Sequence, residues 1–246
     1  MWHIDIMDNI CKMKMMIRGD CKMIDKKLTS PKMTVPLFLI ALIVFIGMFY
    51  SVVTNQEWLK NIDMGSLTWF TDYFGEPQRQ YVNNLFNYYM TFSAEIGDVK
   101  GVVLISIIVT IILFIKQRHL AVWFVTYLVS GVIMNKLIKD TVLRPRPYNH
   151  LAVDTGFSFP SGHSNASTLL YFALMIIIIS LAAKTITKVL SALVMGILWL
   201  SILFCRLYFH AHYFSDVIGG TSLAIIWVAL FLMVYPYFIN HRRQRV

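Results

Sequence analysis

The chain has 246 residues, of which 57% are hydrophobic and only 14% are charged, and its formal net charge is +9. Soluble domains contain roughly 45–50% apolar and about 25% charged residues, so the composition predicts a protein of the lipid bilayer. A nucleic-acid partner would need a basic face on a soluble fold. The basic residues lie instead in short clusters between apolar runs, so we expect no binding of nucleic acid.

The first two segments of the chain differ in character. Residues 1–34 are polar, basic and rich in Met, without a clear period. We expect a cytoplasmic segment that is either disordered or an over-extended start, because Met23 and Met33 are also candidate first residues. Residues 35–54 are apolar over the about 20 residues that a spanning helix needs, and they lack a signal-peptide cleavage pattern. We predict that this run stays in the membrane as an anchor.

The next segment, residues 55–98, is aromatic and acidic and forms the first outer loop. Within it, residues 82–95 place large side chains at helical spacing, namely Leu85, Tyr88, Tyr89 and Phe92. Two interpretations stay open: a short helix that covers the bundle, or an interfacial helix beside a lipid entrance. The fold prediction includes this helix at the membrane interface.

Further apolar runs follow at residues 99–115, 119–138, 162–183, 188–208 and 213–238. Short polar connections separate them. The predicted fold is therefore all-α, an integral membrane bundle of six transmembrane helices. The predicted domain covers residues 35–238, and a basic cytoplasmic tail follows at residues 239–246.

The basic residues predict the orientation in the cell membrane. Of the 22 Lys and Arg residues, 14 lie in the N-terminal segment, in two connections on the same side, and in the tail. Cytoplasmic segments carry such an excess, so both termini are predicted to be cytoplasmic. Five basic residues at the outer ends of spans break this rule: Lys136, Lys139, Arg144, Arg146 and Arg206. Charge within or beside the membrane indicates function by default.

The unusual polar residues fall in three stretches, at residues 139–147, 160–163 and 206–216. In a six-span bundle these stretches all belong to the outer ends of the last four spans. The topology therefore predicts a site on the outer face that holds cations, two histidines and a carboxylate.

His212 and Asp216 lie four residues apart, so on a helix their side chains share one face. A carboxylate that accepts from one imidazole nitrogen fixes the tautomer and leaves the other nitrogen free to attack. This spacing predicts His212 as a nucleophile. His210 lies two residues away, on roughly the opposite face of such a helix, and is interpreted as a polar wall residue.

Ser161 is predicted to be the N-cap of the fourth span, and Gly162 would let a phosphate approach the first free backbone N–H groups. His163 would face the same pocket and protonate a leaving oxygen. Two prolines hold the preceding Arg144 to Pro147 segment in an extended conformation.

The cations in these stretches suit the charge of a transferring phosphoryl group, which guanidinium groups bind in a bidentate way. We predict this role for Lys139, Arg146 and Arg206. Arg144 is open to two interpretations, a phosphate ligand or an interfacial anchor, and we expect the anchor.

The segments KDTVLRPRP, PSGH and RLYFHAHYFSD resemble the three-part signature of the type 2 phosphatidic acid phosphatase family, which shares a superfamily with the vanadium haloperoxidases. The resemblance implies that His212 forms a phosphohistidine, that His163 is the general acid and that Asp216 orients His212. It also implies phosphate binding by Lys139, Arg146, Ser161, Gly162 and Arg206, without a metal or another cofactor. One departure is Cys205, where the family usually has Ser; a thiol is a weaker hydrogen bonder and is expected to loosen the support of Arg206.

The sequence therefore predicts a metal-independent lipid phosphatase, with undecaprenyl diphosphate as the first candidate substrate. Phosphatidylglycerophosphate and phosphatidic acid are alternative substrates. A transporter or binder of lipid phosphates without turnover is an alternative function, although binding alone needs no pair of His212 and Asp216. The expected partners are the lipid substrate and membrane lipids, with no obligate protein partner.

Overall fold

The computed structural model describes residues 24–81 and 84–243, with side chains described as far as residue 237. Residues 1–23 and 244–246, which include most of the predicted N-terminal segment and the end of the tail, lie outside this description. The described part contains eight α-helices and no strand, which confirms the all-α prediction. The helices are α1 (Pro31–Val53), α2 (Glu57–Phe74), α3 (Leu85–Ile96), α4 (Val99–Lys116), α5 (Arg118–Val142), α6 (Gly162–Leu181), α7 (Thr185–Tyr208) and α8 (Phe214–Arg243).

Six of these helices are long and apolar enough to cross a membrane, namely α1, α4, α5, α6, α7 and α8 as far as Tyr237. They correspond to the six predicted spans. Helix α1 begins four residues before the predicted run and α8 ends five residues after it, while α5 continues four residues further, to Val142, and thus carries Lys139 on its last turn. An apolar run marks only the part of a helix that lies in lipid, whereas the helix itself ends where Leu143 adopts a left-handed conformation ahead of Pro145.

The first outer loop contains two helices, of which the sequence predicted only the second, α3. Asn84 caps α3 by accepting a hydrogen bond from the backbone N–H of Asn87 at 2.7 Å. The unpredicted helix α2 contacts α7 and α8 and buries Leu59, Asp63 and Leu67, about one side chain per turn. Its charged residues interrupt any apolar run, so α2 was missed. The interfacial placement of α3 stays a prediction.

The core of the bundle lies where α5, α6 and α8 meet, below the predicted site. Tyr127 is fully buried there, stacks against Trp123 with the ring centroids 5.3 Å apart, and donates a hydrogen bond to the carbonyl of Leu169 at 3.0 Å. Gly220 lets α8 approach the turn that precedes α6, because any side chain at this position would collide with the carbonyl of Ser161. This contact brings the starts of α6 and α8 together at one end of the bundle.

Candidate active site

The proposed nucleophile and its carboxylate lie at the start of α8. His212 precedes the helix, in the turn after α7, so the two residues do not share a helix as the sequence predicted. The spacing still brings them together: the Nδ1 atom of His212 lies 3.6 Å from the Oδ2 atom of Asp216, and both side chains are buried. The same carboxylate oxygen accepts the backbone N–H of Tyr213 at 2.9 Å, which fixes it across the first turn of α8.

The hydrogen-bond donors around His212 identify its tautomer. The Nη1 atom of Arg146 lies 3.3 Å from the Nε2 atom of His212, and a guanidinium group can only donate. The Nε2 atom therefore carries the lone pair, and the ring proton sits on Nδ1, facing Asp216. Burial lowers the pKa of His212 well below its ordinary value, and the cations Arg146 and Lys139 lower it further. The ring is thus neutral and able to act as a nucleophile at neutral pH.

Arg206, on the last turn of α7, is the most deeply buried of the three cations predicted to bind phosphate, with 1% of its surface exposed. Its Nη2 atom donates to the sulfur of Cys205 at 3.3 Å, so the thiol contacts the guanidinium group despite replacing the usual hydroxyl. Its Nε and Nη1 atoms have no hydrogen-bond partner among the described residues. Buried guanidinium nitrogens without partners are costly, so this position favours an anion.

Carbonyls of the loop between α5 and α6 contact the other two predicted cations of the phosphate site. Lys139 donates from Nζ to the carbonyl of Phe157 at 2.8 Å. Arg146 donates to the carbonyls of Thr155 at 2.8 Å and Ala211 at 2.6 Å. The loop between α5 and α6 therefore fixes both cations beside the turn that carries His212.

Ser161 is the N-cap of α6, as predicted, and its Oγ atom accepts the backbone N–H of Ser164 at 3.3 Å. Its own N–H donates to the backbone carbonyl of Asp216 at 3.0 Å. A backbone hydrogen bond thus ties the start of α6 to the first turn of α8. Gly162 follows as the first residue of α6, where a side chain would find open space except for Asn135.

His163 lies in the first turn of α6, with its ring centroid 6.5 Å from that of His212. Its Nε2 atom lies 3.2 Å from the Oδ1 atom of Asp98, a residue that the sequence interpretation did not select. Asp98 also caps α4 and lies 3.4 Å from Arg79. The hydrogen bond with His163 holds the pKa of Asp98 below its ordinary range, and Arg79 adds to this effect. Each histidine of the site therefore faces a carboxylate.

A sequence profile of the PAP2 superfamily matches residues 120–240, a segment that contains all eight predicted site residues. The chain belongs to the PAP2 superfamily. Among the described residues, no group of three or more His, Cys, Asp or Glu side chains could hold a metal ion. The PAP2 site is built instead from histidines, carboxylates and cations.

Two individual proteins resemble the chain. Phosphatidylglycerophosphatase B of Bacillus subtilis (strain 168) is 29% identical over 115 residues, which cover 46% of this chain and 55% of that relative. The match thus spans little more than half the length of the relative. The crystal structure of the first transmembrane PAP2 type phosphatidylglycerolphosphate phosphatase from Bacillus subtilis superposes with a TM-score of 0.63 at 19% identity, over 86% of this chain and 96% of that one. The chain therefore has the membrane PAP2 fold and is a multi-pass membrane protein.

Arg144 binds two carboxylates, a role that neither interpretation of the sequence included. Its Nη1 atom donates to Asp216 at 2.6 Å, and its Nη2 atom donates to Asp63 at 2.7 Å. The guanidinium group lies 4.3 Å from the ring centroid of Tyr213. Asp63, on α2, was also missed, because it lies 81 residues from Arg144 along the chain and belongs to no motif.

His210 is fully buried two residues before His212, the predicted nucleophile. Its φ of 53° places it in the left-handed region, so the helical argument that turned it away from His212 does not apply. Neither ring nitrogen has a hydrogen-bond partner among the described residues. Burial lowers the pKa of His210. Among the described residues, His212 lies 3.6 Å from a carboxylate oxygen and His163 lies 3.2 Å from one, whereas His210 has no such contact.

Proposed function

We propose that this chain is an integral membrane enzyme that hydrolyses a lipid phosphate or diphosphate through a phosphohistidine on His212. The observation that carries this proposal is the position of His212 between Arg146 and Asp216, with Nε2 3.3 Å from the guanidinium group and Nδ1 3.6 Å from the carboxylate. A binding site alone needs cations but no oriented imidazole. We propose residues 35–238 as the phosphatase domain, with its site on the outer face of the cell membrane.

In the first proposed step, the Nε2 lone pair of His212 attacks the phosphorus atom and forms the N–P bond. The bond between phosphorus and the leaving oxygen breaks, and His163 gives its proton to that oxygen. Asp216 stabilises the positive charge that develops on the ring of His212. The cations Lys139, Arg146 and Arg206 are the proposed ligands of the phosphoryl oxygens, together with the backbone N–H groups at Ser161 and Gly162.

In the second proposed step, water attacks the phosphohistidine. His163 takes a proton from this water, and the new P–O bond replaces the N–P bond. His212 leaves as a neutral imidazole, and inorganic phosphate is released. His163 thus acts as acid in the first step and as base in the second, and the proton that it takes from water restores its acid form. No step requires a metal ion.

Undecaprenyl diphosphate is the first substrate that we propose. Three cations suit the high negative charge of a diphosphate, and an outer-face site suits a lipid whose headgroup reaches that face. Phosphatidylglycerophosphate is the second candidate, because the relative and the solved structure that resemble this chain both carry its name. Both candidates have a phosphate at the end of an amphiphile.

The test is phosphate release by the purified full-length protein in detergent with EDTA, over a panel of undecaprenyl diphosphate, phosphatidylglycerophosphate and phosphatidic acid. We expect release from at least one lipid and its loss in His212→Ala, with an unchanged melting temperature. The matched control is His210→Ala, which removes a buried imidazole two residues away and should keep most of the activity. Unchanged release in His212→Ala would refute the mechanism, and tight lipid binding without release would favour a transporter or binder.

A further inference from the structure

Asp63 of α2 caps the helix that carries the catalytic carboxylate. Its Oδ1 atom accepts the backbone N–H of Ser215 at 2.9 Å, and its Oδ2 atom accepts the hydroxyl of Ser215 at 2.7 Å. The first N–H groups of a helix have no partner within the helix, and α8 begins only one residue earlier, at Phe214. A carboxylate from a different helix fills this role here, and it is favoured at the positive end of the helix dipole. The first outer loop is thereby fixed to the start of α8.

Arg144 connects Asp63 to the site. Its Nη2 atom donates to Asp63 at 2.7 Å, while its Nη1 atom donates to Asp216 at 2.6 Å and to the hydroxyl of Ser215 at 2.7 Å. The side chains of Asp63 and Asp216 are 2% and 0% exposed. Charge-assisted hydrogen bonds of this length are among the strongest in proteins. The planar guanidinium group can donate from two different nitrogen atoms to both carboxylates at once. The ammonium group of a lysine has a single nitrogen atom and lacks this geometry.

Two hydrogen bonds determine which oxygen of Asp216 faces the proposed nucleophile. Arg144 holds Oδ1, while the backbone N–H of Tyr213 holds Oδ2, the atom that lies 3.6 Å from Nδ1 of His212. Rotation of the carboxylate would break the short bond to Arg144. The orientation of Asp216 therefore depends on Arg144 as well as on the backbone of Tyr213, and the orientation of Arg144 depends on Asp63.

Asp63, Arg144 and Asp216 form a buried group, and the net charge of this group has a second consequence. Arg144 and Asp216 alone would form a neutral pair, whereas the addition of Asp63 gives the buried group a net charge of minus one. In the proposed reaction His212 gains positive charge when it attacks phosphorus. A net negative group beside it stabilises that charge, and burial strengthens the interaction because little water screens it.

We infer that Asp63 and Arg144 are positioning residues of the proposed phosphoryl transfer: Asp63 orients Arg144, and Arg144 orients Asp216 towards His212 and keeps the group negative. This inference rests on the proposed function. Asp63 lies in the first outer loop, outside the segment that matches the PAP2 superfamily. The inference therefore assigns a role to a loop that the family match does not cover.

The test measures kcat and KM of Asp63→Asn with the lipid of the panel that the wild type hydrolyses fastest. We expect kcat to fall roughly 10-fold to 100-fold, the usual cost of removing the partner that orients a functional side chain. KM should change less than about twofold, because the proposed phosphate ligands keep their contacts. Asp63→Glu, which keeps the charge, should recover part of the lost kcat. The matched control is Asp72→Asn, the same change at an exposed position of the same helix, which should leave kcat and KM unchanged.

A double-mutant cycle separates this role from a general loss of stability. Asp63→Asn combined with Arg144→Gln should lose little more kcat than Arg144→Gln alone, because both changes break the same connection. If Arg144→Gln does not fold, Ser215→Ala replaces it in the test, because this change removes only one hydroxyl. Ser215→Ala should lower kcat by a few-fold at constant KM.

Two outcomes would overturn the inference alone: wild-type kcat in Asp63→Asn while His212→Ala is inactive, or a fall in kcat that follows the melting temperature across all variants. Failure of the proposed function looks different, because the wild type would then hydrolyse no lipid of the panel. That outcome would overturn both.

Discussion

The two histidines of the site each face a carboxylate, but the two pairs are built differently. His212 and Asp216 lie within five residues of each other and are at most 1% exposed. His163 and Asp98 lie 65 residues apart, and their side chains are 18% and 35% exposed. The buried pair suits a nucleophile that must stay neutral and directed. The exposed pair suits a group that exchanges protons with water, as an acid that later acts as a base must do.

The largest effect is expected when the buried pair is broken. Asp216→Asn keeps the shape of the side chain but removes the charge that faces His212 and binds Arg144. We expect the proposed activity to fall about 1,000-fold to 10,000-fold in kcat, because the imidazole loses both its tautomer and the stabilisation of its positive charge. Phosphate release under saturating lipid measures this. A loss below about 10-fold would mean that the buried pair does not direct the nucleophile.

A smaller effect is expected when the exposed pair is broken. Asp98→Asn removes the acceptor of His163 and the partner of Arg79. We expect kcat to fall about 10-fold, since water can partly replace the carboxylate at a rim position. The same release assay, run beside Asp216→Asn, gives the comparison directly. Equal losses of kcat in Asp98→Asn and Asp216→Asn would show that the contribution of a pair to kcat does not depend on how exposed its side chains are.

The pH dependence tests the neutral state of the buried pair. The pKa of His212 is lowered, so its neutral form persists to lower pH, and the acid limb of kcat/KM should lie below about pH 6.5. Arg146→Gln removes a cation that lowers this pKa, while Lys139, His163 and Arg206 still face the ring. The acid limb should then move up by roughly half a unit to one unit. A limb that moves to lower pH in Arg146→Gln would contradict this assignment.

The smallest effect is expected at the third histidine, which lacks a carboxylate partner in the described part of the chain. Asn is one of the few residues that tolerate the left-handed conformation of position 210. His210→Asn should therefore keep kcat within about threefold and change the melting temperature by only a few degrees. A loss comparable to that of Asp216→Asn would identify His210 as part of the chemistry.

Much of the fold could be predicted from the sequence because lipid imposes a simple rule. A spanning helix needs a long apolar run, and all six runs became helices of about the predicted extent. Helix α2 could not be found in this way, because it lies outside the spans and its buried face includes a carboxylate, Asp63. When ion pairs with distant residues hold a helix in place, its own sequence does not need a continuous apolar pattern that would predict it.

The site was predictable where its residues lie close together in the sequence. His212 with Asp216, and Ser161 with His163, stand at short spacings that indicate their chemistry. Asp98 lies 65 residues from the histidine that it contacts, and Asp63 lies 152 residues from Ser215, so no local pattern could connect them. Arg144 was misread for the same reason, since its role depends on two carboxylates that only the fold brings together.

The hydrogen bond from the backbone of Ser161 to the carbonyl of Asp216, together with the contact at Gly220, joins the start of α6 to the start of α8. The spacing of the two histidines is therefore fixed by main chain and does not depend on flexible side chains. A substitution that changes only a side chain in this region would leave the backbone connection in place. The relative position of the two helix starts is therefore a property of the bundle itself.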